Sequence, residues 1–597
     1  MAGFGLVTVN DVLVRATGRG GKEVMRRQDA SGQWAPISSD ELYGWVRAVA
    51  DQLMTWGIAK GDRVVMLSEN RWEWAVTDFA CLAIGAVDVP LYATESAERI
   101  GYMVRDSGAR VAVVSTRDQY DKLAAAGELP DLEQVLVMDG GVYDNATSFD
   151  TLVETAKLKQ GRDGTFDAMV RTAKPEDLMT IIYTSGTTGE PKGVRLTHGN
   201  LASNIEQCIP RFNLTAADRI ISYLPLSHVF ERHVDYAFFE IGSLIAYCPK
   251  FESLPKAMQA IKPSFFVGVP RVYEKIRQGV EAKSAASPVK HAIFKWAIGV
   301  GRQHREEILA GKKPGSLLWK LANKLVFSKI MEAFGGNAWQ FVSGSAPLGM
   351  DTAGWFGDVG IRIYEGYGLT ETSPVVSFNR PDKNRIGTIG PALDNVQVRF
   401  AEDGEIEVKG PSIFEGYWNK PKETADAFSA DGWFKTGDIG TIDADGFLSI
   451  TDRKKEILKT SGGKIIAPSP IEGKLKANTL VGQADLVGDK HKFACVLISP
   501  NFIALELWAK GQGIATTDHA ALVKDAKVVA EYKRIVDAVN KTLSHHETIK
   551  RVAVVAEEWA IETGELTPSM KMKRRVIEKK YEREIADFYK DEATSKE

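Results

Sequence analysis

The residues best suited to chemistry lie in TIIYTSGTTGEPKGV, positions 180–194. A strand expected over Met179 to Tyr183 runs into Thr184, Ser185, Gly186, Thr187, Thr188 and Gly189, with Lys192 following. Six successive small residues, every one hydroxylated or glycine, expose backbone N–H groups and hydroxyls that suit an oligophosphate, and the lysine adds positive charge. The nucleoside-triphosphate loop G-x-x-x-x-G-K-[ST] is excluded, because Glu190 and Pro191 separate Gly189 from Lys192 and Gly193 follows the lysine.

Two other clusters invite chemistry. His228, Glu231 and His233 evoke a metal site, but the zinc pattern H-E-x-x-H needs histidines four apart on one helix face. A separation of five turns the second imidazole away. Glu231 and Arg232 are expected to pair with each other. Near the C-terminus, Lys571-Met572-Lys573-Arg574-Arg575 is a charge run, which by itself reads equally well as a solvated helix face.

The elements that must position these residues alternate between strand and helix. RVVMLS (63–68) precedes the helical WEWAVTDFACLAIG. ARVAVVS (109–115) and QVLVMD (134–139) follow helical spacings, and SFFVGVP (264–270) and WQFVSGSAP (339–347) continue the style. Such alternation implies crossover connections and a mainly parallel, covered sheet. Ligands of open α/β sheets sit beyond the strand ends, where Gly, Ser and Pro cluster here. After about residue 385, GTIGPAL, VQVRF, GEIEVKG and GFLSITD read as an antiparallel subdomain. The charged Asp452-Arg453-Lys454-Lys455 reads as a linker, followed by Ala/Lys/Glu-rich helices and the strand-like FACVLIS and RVAVVA.

Composition narrows the function classes. The chain has 597 residues, 44% of them apolar, and a formal net charge of −3. That is too apolar for a disordered chain and too neutral for a broad nucleic-acid surface. Its length predicts two or more domains. The four cysteines are scattered, which fits plain thiols in a reducing compartment. The longest apolar run, Phe79 to Val87, is short of the about 20 residues a spanning helix needs, and reads as a buried helix or strand. The N-terminus lacks the pattern of a secretion signal. A soluble cytoplasmic protein is expected, with peripheral contact at the inner face of a membrane left open.

The phosphate loop resembles the signature of the adenylate-forming (AMP-binding) superfamily. YLPLSHVFER (223–232), FVSGSAPL (341–348), YEGYGLTET (364–372), GWFKTGDIG (432–440), TDRKKEILKTSGGKIIAP (451–468) and LTPSMKMKRR (566–575) are similar to further motifs of that superfamily, in order. HVFER, SGSAPL, GGKIIAP and LTPSMKMKRR look most like bacterial long-chain fatty acid–CoA ligases. The fold class implied is α/β. A large N-terminal domain (1–452) of parallel and mixed sheets with a small antiparallel subdomain precedes a small mobile α/β domain (453–597).

The resemblance implies a role for each motif. Thr184 to Gly189, with Lys192, would hold the β- and γ-phosphates of ATP. Thr184 and Glu371 would position Mg²⁺, and Thr370 would contact the α-phosphate. Gly344, Ser345 and Ala346 would enclose adenine together with Glu365, Gly366, Tyr367 and Gly368. Asp438 and Arg453 would grip the ribose. His228, beside Ser227, Val229 and Gly268, would line the acyl site. Gly368, where acetyl-specific relatives carry tryptophan, would leave room for a chain. Lys571 would stabilise charge during adenylation, with Lys573 the residue a misaligned reading would choose. Relatives usually have Ser-Gly-Lys here, whereas this chain has Ser569-Met570-Lys571. Lys455 would be the hinge that later brings Ser461, Gly462, Gly463 and Lys464 to coenzyme A.

The implied reaction is ATP-dependent ligation of a long-chain fatty acid to coenzyme A through acyl-AMP. Carrier-protein transfer by a fatty acyl-AMP ligase is the alternative. A non-catalytic sensor would predict lost motif residues, yet Thr184, Glu371, Asp438, Arg453 and Lys571 are all present. Residues 316–334 carry Leu, Trp, Val, Ile and Phe on one side and lysines elsewhere, which fits either a helix packed on its own domain or one facing a membrane. Oligomeric state is left open, a homodimer among the alternatives.

Overall fold

The computed structural model describes residues 5–29, 31–158, 161–184, 190–516, 518–561, 563–567 and 570–590. Ser185 to Gly189 of the expected phosphate loop lie outside the described residues.

The alternating apolar runs form a seven-stranded sheet in the order Thr147–Ser148, Gln134–Val137, Val111–Val114, Arg63–Ser68, Val87–Tyr92, Leu178–Thr184 and Lys192–Thr197. All pairings are parallel except the last. Because side chains alternate across a strand, successive residues enter two different cores. Val64, Met66, Val111 and Val113 face one, while Val65, Leu67, Ala112 and Val114 face the other. The run Phe79 to Val87 divides at Gly85. The helix Trp72–Ile84 is buried at every residue and ends on Gly85, left-handed at φ 73°, and the strand Val87–Tyr92 then begins. Glycine takes that backbone conformation without the Cβ clash other residues suffer.

Two further sheets complete the body. Phe265–Gly268, Gln340–Ser343 and Ile363–Gly368 run parallel, and Val375–Phe378 returns antiparallel. Arg219–Ser222, Leu244–Tyr247 and Glu23–Gln28 are parallel, with Trp34–Ser38 antiparallel at the edge. The antiparallel subdomain comprises Gln397–Phe400, Glu405–Lys409, Phe434–Ile442 and Leu448–Arg453. It differs from expectation in two places. GTIGPAL forms no named strand, and the motif GWFKTGDIG supplies a nine-residue one.

Beyond Arg453 come a two-stranded hairpin, Leu458–Lys459 with Ile465–Ile466, and a three-stranded sheet, Val481–Val487, Ala494–Pro500 and Ile549–Val554. This part has apolar clusters of its own. The described cysteines, 81, 208, 248 and 495, are buried. No described helix is long and apolar enough to cross a membrane.

Candidate active site

The strand Leu178–Thr184 is fastened from below. Thr180 donates to Asp88 at 2.6 Å, and the Arg232 guanidinium donates to both Thr180 and Asp88 at 2.9 Å while pairing with Asp78. Arg232 is 1% exposed. The expected Glu231–Arg232 pair does not form. Neighbours on a helix point about 100° apart, and Glu231 instead accepts from the Tyr223 amide at 3.0 Å.

Thr184 and Lys192 are register partners at the end of the strand pair, on either side of the expected phosphate loop. The Lys192 ammonium lies 5.2 Å from the Tyr417 ring centroid. The Tyr417 hydroxyl donates to Glu371 at 2.9 Å. One tyrosine therefore joins the loop's lysine to the carboxylate of the Thr370–Thr372 turn, and nothing in the sequence analysis had singled it out. Burial raises the Glu371 carboxyl above its usual range, with Tyr417 and Arg453 acting against that. Thr370 is buried beside it.

Mg²⁺ fits these donors. It takes hard oxygen ligands, few of them from protein, and fills its remaining positions with water and substrate phosphate. Glu371 and the Thr184 hydroxyl are such donors. Among the described residues no group of three His, Cys, Asp or Glu could hold a metal without such help.

Asp438 and Arg453 face each other across adjacent strands, with the guanidinium 3.4 Å from the carboxylate. Tyr367 donates to the other Asp438 oxygen at 2.6 Å. Asp438 is buried, whereas 41% of the Arg453 side chain reaches solvent. Burial raises the Asp438 carboxyl, and Arg453 and then Tyr367 moderate the rise. Burial works against the Arg453 charge, but Asp438 and Glu456 carry its pKa upward.

Gly344 donates its N–H to the Gly268 carbonyl at 3.2 Å, joining two of the predicted walls. A Cβ at Gly344 would stand 2.8 Å from the Phe230 ring, so glycine is what lets the strand end approach the start of the helix Val229–Ile241. Ser345 follows at φ 71°, with Ala346 beyond it. Gly366 and Gly368 line the return strand. A Cβ at Gly368 would lie 1.8 Å from the Pro374 carbonyl oxygen. In this chain the backbone packing itself favours glycine there, beside the room it was expected to leave for an acyl chain. Glu365 is a strut. Its carboxyl accepts from the Leu348 amide at 3.0 Å, and burial raises its pKa to about 7.

His228 caps the helix Val229–Ile241, its Nδ1 accepting from the Phe230 amide at 3.2 Å. An imidazole that accepts at Nδ1 carries its proton on Nε2. Burial, reinforced by the nearby Lys571, lowers its pKa to about 3, so it is a neutral donor. Ser227 and Val229 beside it are buried.

Lys571 reaches this site from the C-terminal part. Burial and then Arg453 lower its pKa to about 8, against Asp438, Glu456 and Glu371. Its amide donates to Thr567 Oγ1 at 3.0 Å. Lys573 points elsewhere and senses Glu95 and Arg99. Arg574, undifferentiated in the charge run, ties this segment inward, bonding Glu472 at 2.7 Å, Glu456 at 3.2 Å and Asp485. Lys455 is exposed in the turn after Arg453, whose neighbour Lys454 donates its amide to the Gly437 carbonyl at 2.8 Å. Ser461, Gly462, Gly463 and Lys464 are exposed at the hairpin tip, with Gly463 at φ 76°. Lys571 thus stands in the cleft while the 461–464 loop stands in solvent.

Comparisons with known proteins agree with this geometry. The family model described as AMP-binding enzyme matches residues 14–418, and that of the AMP-binding enzyme C-terminal domain matches 455–593. The chain is 38% identical over 574 residues to the long-chain-fatty-acid–CoA ligase FadD15 of Mycobacterium bovis, covering 94% of this chain and 93% of the relative. It is 30% identical over 626 residues to the long-chain-fatty-acid–CoA ligase ACSBG2 of Xenopus laevis, covering 99% and 85%. The adenylation domain of a carboxylate reductase from Mycobacterium chelonae has the same fold, with TM-score 0.76, 21% identity and coverage of 98% and 91%. ATP-bound MatB from Rhodopseudomonas palustris gives 0.69, 25%, 96% and 99%. The chain belongs to the AMP-binding enzymes, in the family of the long-chain-fatty-acid–CoA ligases.

Proposed function

We propose that the protein joins a long-chain fatty acid to coenzyme A in two half-reactions at one site. The carboxylate oxygen of the acid attacks the α-phosphorus of ATP, and the bond to pyrophosphate breaks. The coenzyme A sulfur then attacks the acyl carbonyl, and AMP leaves. The observation that carries this reading is Lys571, a cation from the C-terminal part standing among Asp438, Arg453 and Glu371.

Each residue acts by what it offers. The 184–189 loop and Lys192 bind phosphate, with Thr370 toward the α-phosphorus. Tyr367 and Gly344 to Ala346 receive the adenine, and Asp438 takes the ribose hydroxyls while Arg453 orients it. The neutral His228 donates through Nε2 to the acyl carboxylate beside Gly268, without adding a charge that would hold the nucleophile back. Lys571 stabilises negative charge developing at the α-phosphate. Mg²⁺, bound by Glu371 and Thr184, would neutralise charge on the departing pyrophosphate.

Residues 1–452 form the adenylating body and 453–597 the mobile part. Rotation about Lys455 would withdraw Lys571 and bring 461–464 to coenzyme A, a lid-type step. On this reading, Lys571 inside the cleft and the 461–464 loop outside it correspond to the adenylation pose.

The test is AMP release from ATP across a chain-length panel of acids, with and without coenzyme A. Coenzyme A-dependent AMP formation that peaks at long chains is expected. ADP as the product would refute adenylation, and transfer to a carrier protein in preference to coenzyme A would favour the acyl-AMP ligase alternative.

A further inference from the structure

The helices Pro288–Gln303 and Leu317–Ala322 pack side by side on the second core of the body. Each has an inward stripe: Phe294, Ala297 and Val300 on the first, Trp319 and Ala322 on the second. Each also has an outward apolar stripe that a packed helix has no reason to carry. On the first it is Val289, Ile293 and Trp296, spaced i, i+4, i+7. On the second it is Leu317, Leu318 and Leu321, extended by Leu325 in the adjoining turn. Leu317 is 81% exposed and Val289 68%. Residues 316–334 thus have two faces: Trp319, Phe327 and Phe334 face the domain, and the leucines face away.

The surrounding charge indicates what covers this face. From Lys283 to Lys329 the sequence has ten Lys or Arg and two Glu, in a chain whose net charge is −3. Lys290, Lys295, Lys320 and Lys324 are exposed around the leucines. Apolar side chains on one strip, cations around them and a tryptophan at the margin are the makeup of a helix pair that lies in a lipid interface.

We propose that this face docks on an anionic lipid bilayer, with the leucines in the acyl region, Trp296 at its margin and the lysines on the headgroup phosphates. The contact is monotopic. It rests on the proposed function only for its purpose, since a long-chain acid partitions into bilayers. The first helix also packs on Pro270–Ala285, which begins two residues after Gly268 of the acyl wall.

The test is co-sedimentation of the full chain with phosphatidylcholine vesicles, with and without phosphatidylglycerol. Binding that requires phosphatidylglycerol and falls in high salt is expected. Leu317→Glu/Leu321→Glu should abolish it, and Lys320→Glu/Lys324→Glu should weaken it about tenfold or more. All four positions are exposed, so thermal midpoints and AMP formation from a water-soluble acid without vesicles should match the unmodified protein. That assay also separates failure of docking from failure of the ligase reading. Three results would overturn the proposal: no sedimentation of the unmodified protein, equal sedimentation of the leucine variant, or a dimer in solution that the leucine variant dissolves. The last would assign the face to a second copy of the chain.

Discussion

Two arginines, Arg232 buried and Arg574 partly so, anchor two parts of this enzyme, and they do so differently. Arg232 lies in the core of the body, where Asp78, Asp88 and Thr180 surround it from a helix and two strands of the main sheet, and Tyr236 from its own helix. It fixes the strand that leads to the phosphates. Arg574 bonds Glu456, Glu472 and Asp485, all from the C-terminal part. It fixes Lys571 to its own domain and not to the site that Lys571 serves. Beyond the junction itself, where Asp438 meets Arg453 and Lys454 pairs with Asp403 and Glu405, the polar contacts between the two parts among the described residues include Arg271 to the Gly482 carbonyl at 3.1 Å and to Glu558 at 3.4 Å, Asn501 to Gln278 at 2.9 Å, and Lys476 near Glu274 at 3.6 Å. One arginine braces a strand of the body. The other would let Lys571 travel as part of a rigid piece in the rotation proposed above.

The largest effect should come from breaking the first anchor. Arg232→Met leaves two aspartates buried at 2% and 0% side-chain exposure without their cation. Removing one partner from a buried ion network costs about 3–5 kcal/mol. Denaturant unfolding should register that loss, and a midpoint within error of the unmodified protein would remove Arg232 from this role.

Lys571 should separate the two half-reactions. Lys571→Ala should slow acyl-AMP formation about 10²-fold or more, the scale of losing one donor to a developing oxyanion, while thioester formation from supplied acyl-AMP persists. Lys455→Pro should do the reverse. The pH profile sharpens the contrast. The charged ammonium is the active form, and its pKa is lowered from 10.5 to about 8. Adenylation kcat/KM should therefore be full below that value and decline above about pH 8, where an ordinary lysine would hold for two further units. Lys571→Arg should lose this alkaline limb, and a limb retained in that variant would point to another group.

Much of the site was legible because its chemistry sits in contiguous runs. Asp438, Arg453, Glu371 and Lys571 each stand in a motif, and the structure brings them to one cleft. What escaped detection has no local signature. Tyr417 acts through tertiary contact with Glu371 and Lys192. The strand Val481–Val487 carries Gln483 and Asp485 buried, and Asp485 meets Arg574 from 89 residues away. GWFKTGDIG was read as a binding motif only, although its nine-residue strand is what sets Asp438 opposite Arg453. Gly368 also meets the Pro374 carbonyl, a close backbone approach that its motif alone does not announce. Pattern identifies elements that bury one face, but not the distant partner that makes a buried polar side chain tolerable.

The smallest predicted effect concerns the residue that joins the two regions. Met570 adopts φ 62°, a left-handed backbone that a non-glycine residue holds at a cost of about 1 kcal/mol or more. Its side chain packs against the body's second core and also against the C-terminal cluster around Trp559 and Ile577. The backbone strain travels with the C-terminal part, whereas the contact with the body exists only while Lys571 is in the cleft. Met570→Gly should therefore relieve strain in both poses and weaken only the adenylation pose. Adenylation kcat/KM should fall about fivefold, the equivalent of losing about 1 kcal/mol of apolar contact, while thioester formation is unchanged or faster and thermal stability does not fall. Met570→Leu keeps the apolar bridge and should restore adenylation. If glycine and leucine behave alike, the side chain is not what holds the pose, and the polar contacts at Arg271, Gln278 and Lys476 must hold it instead.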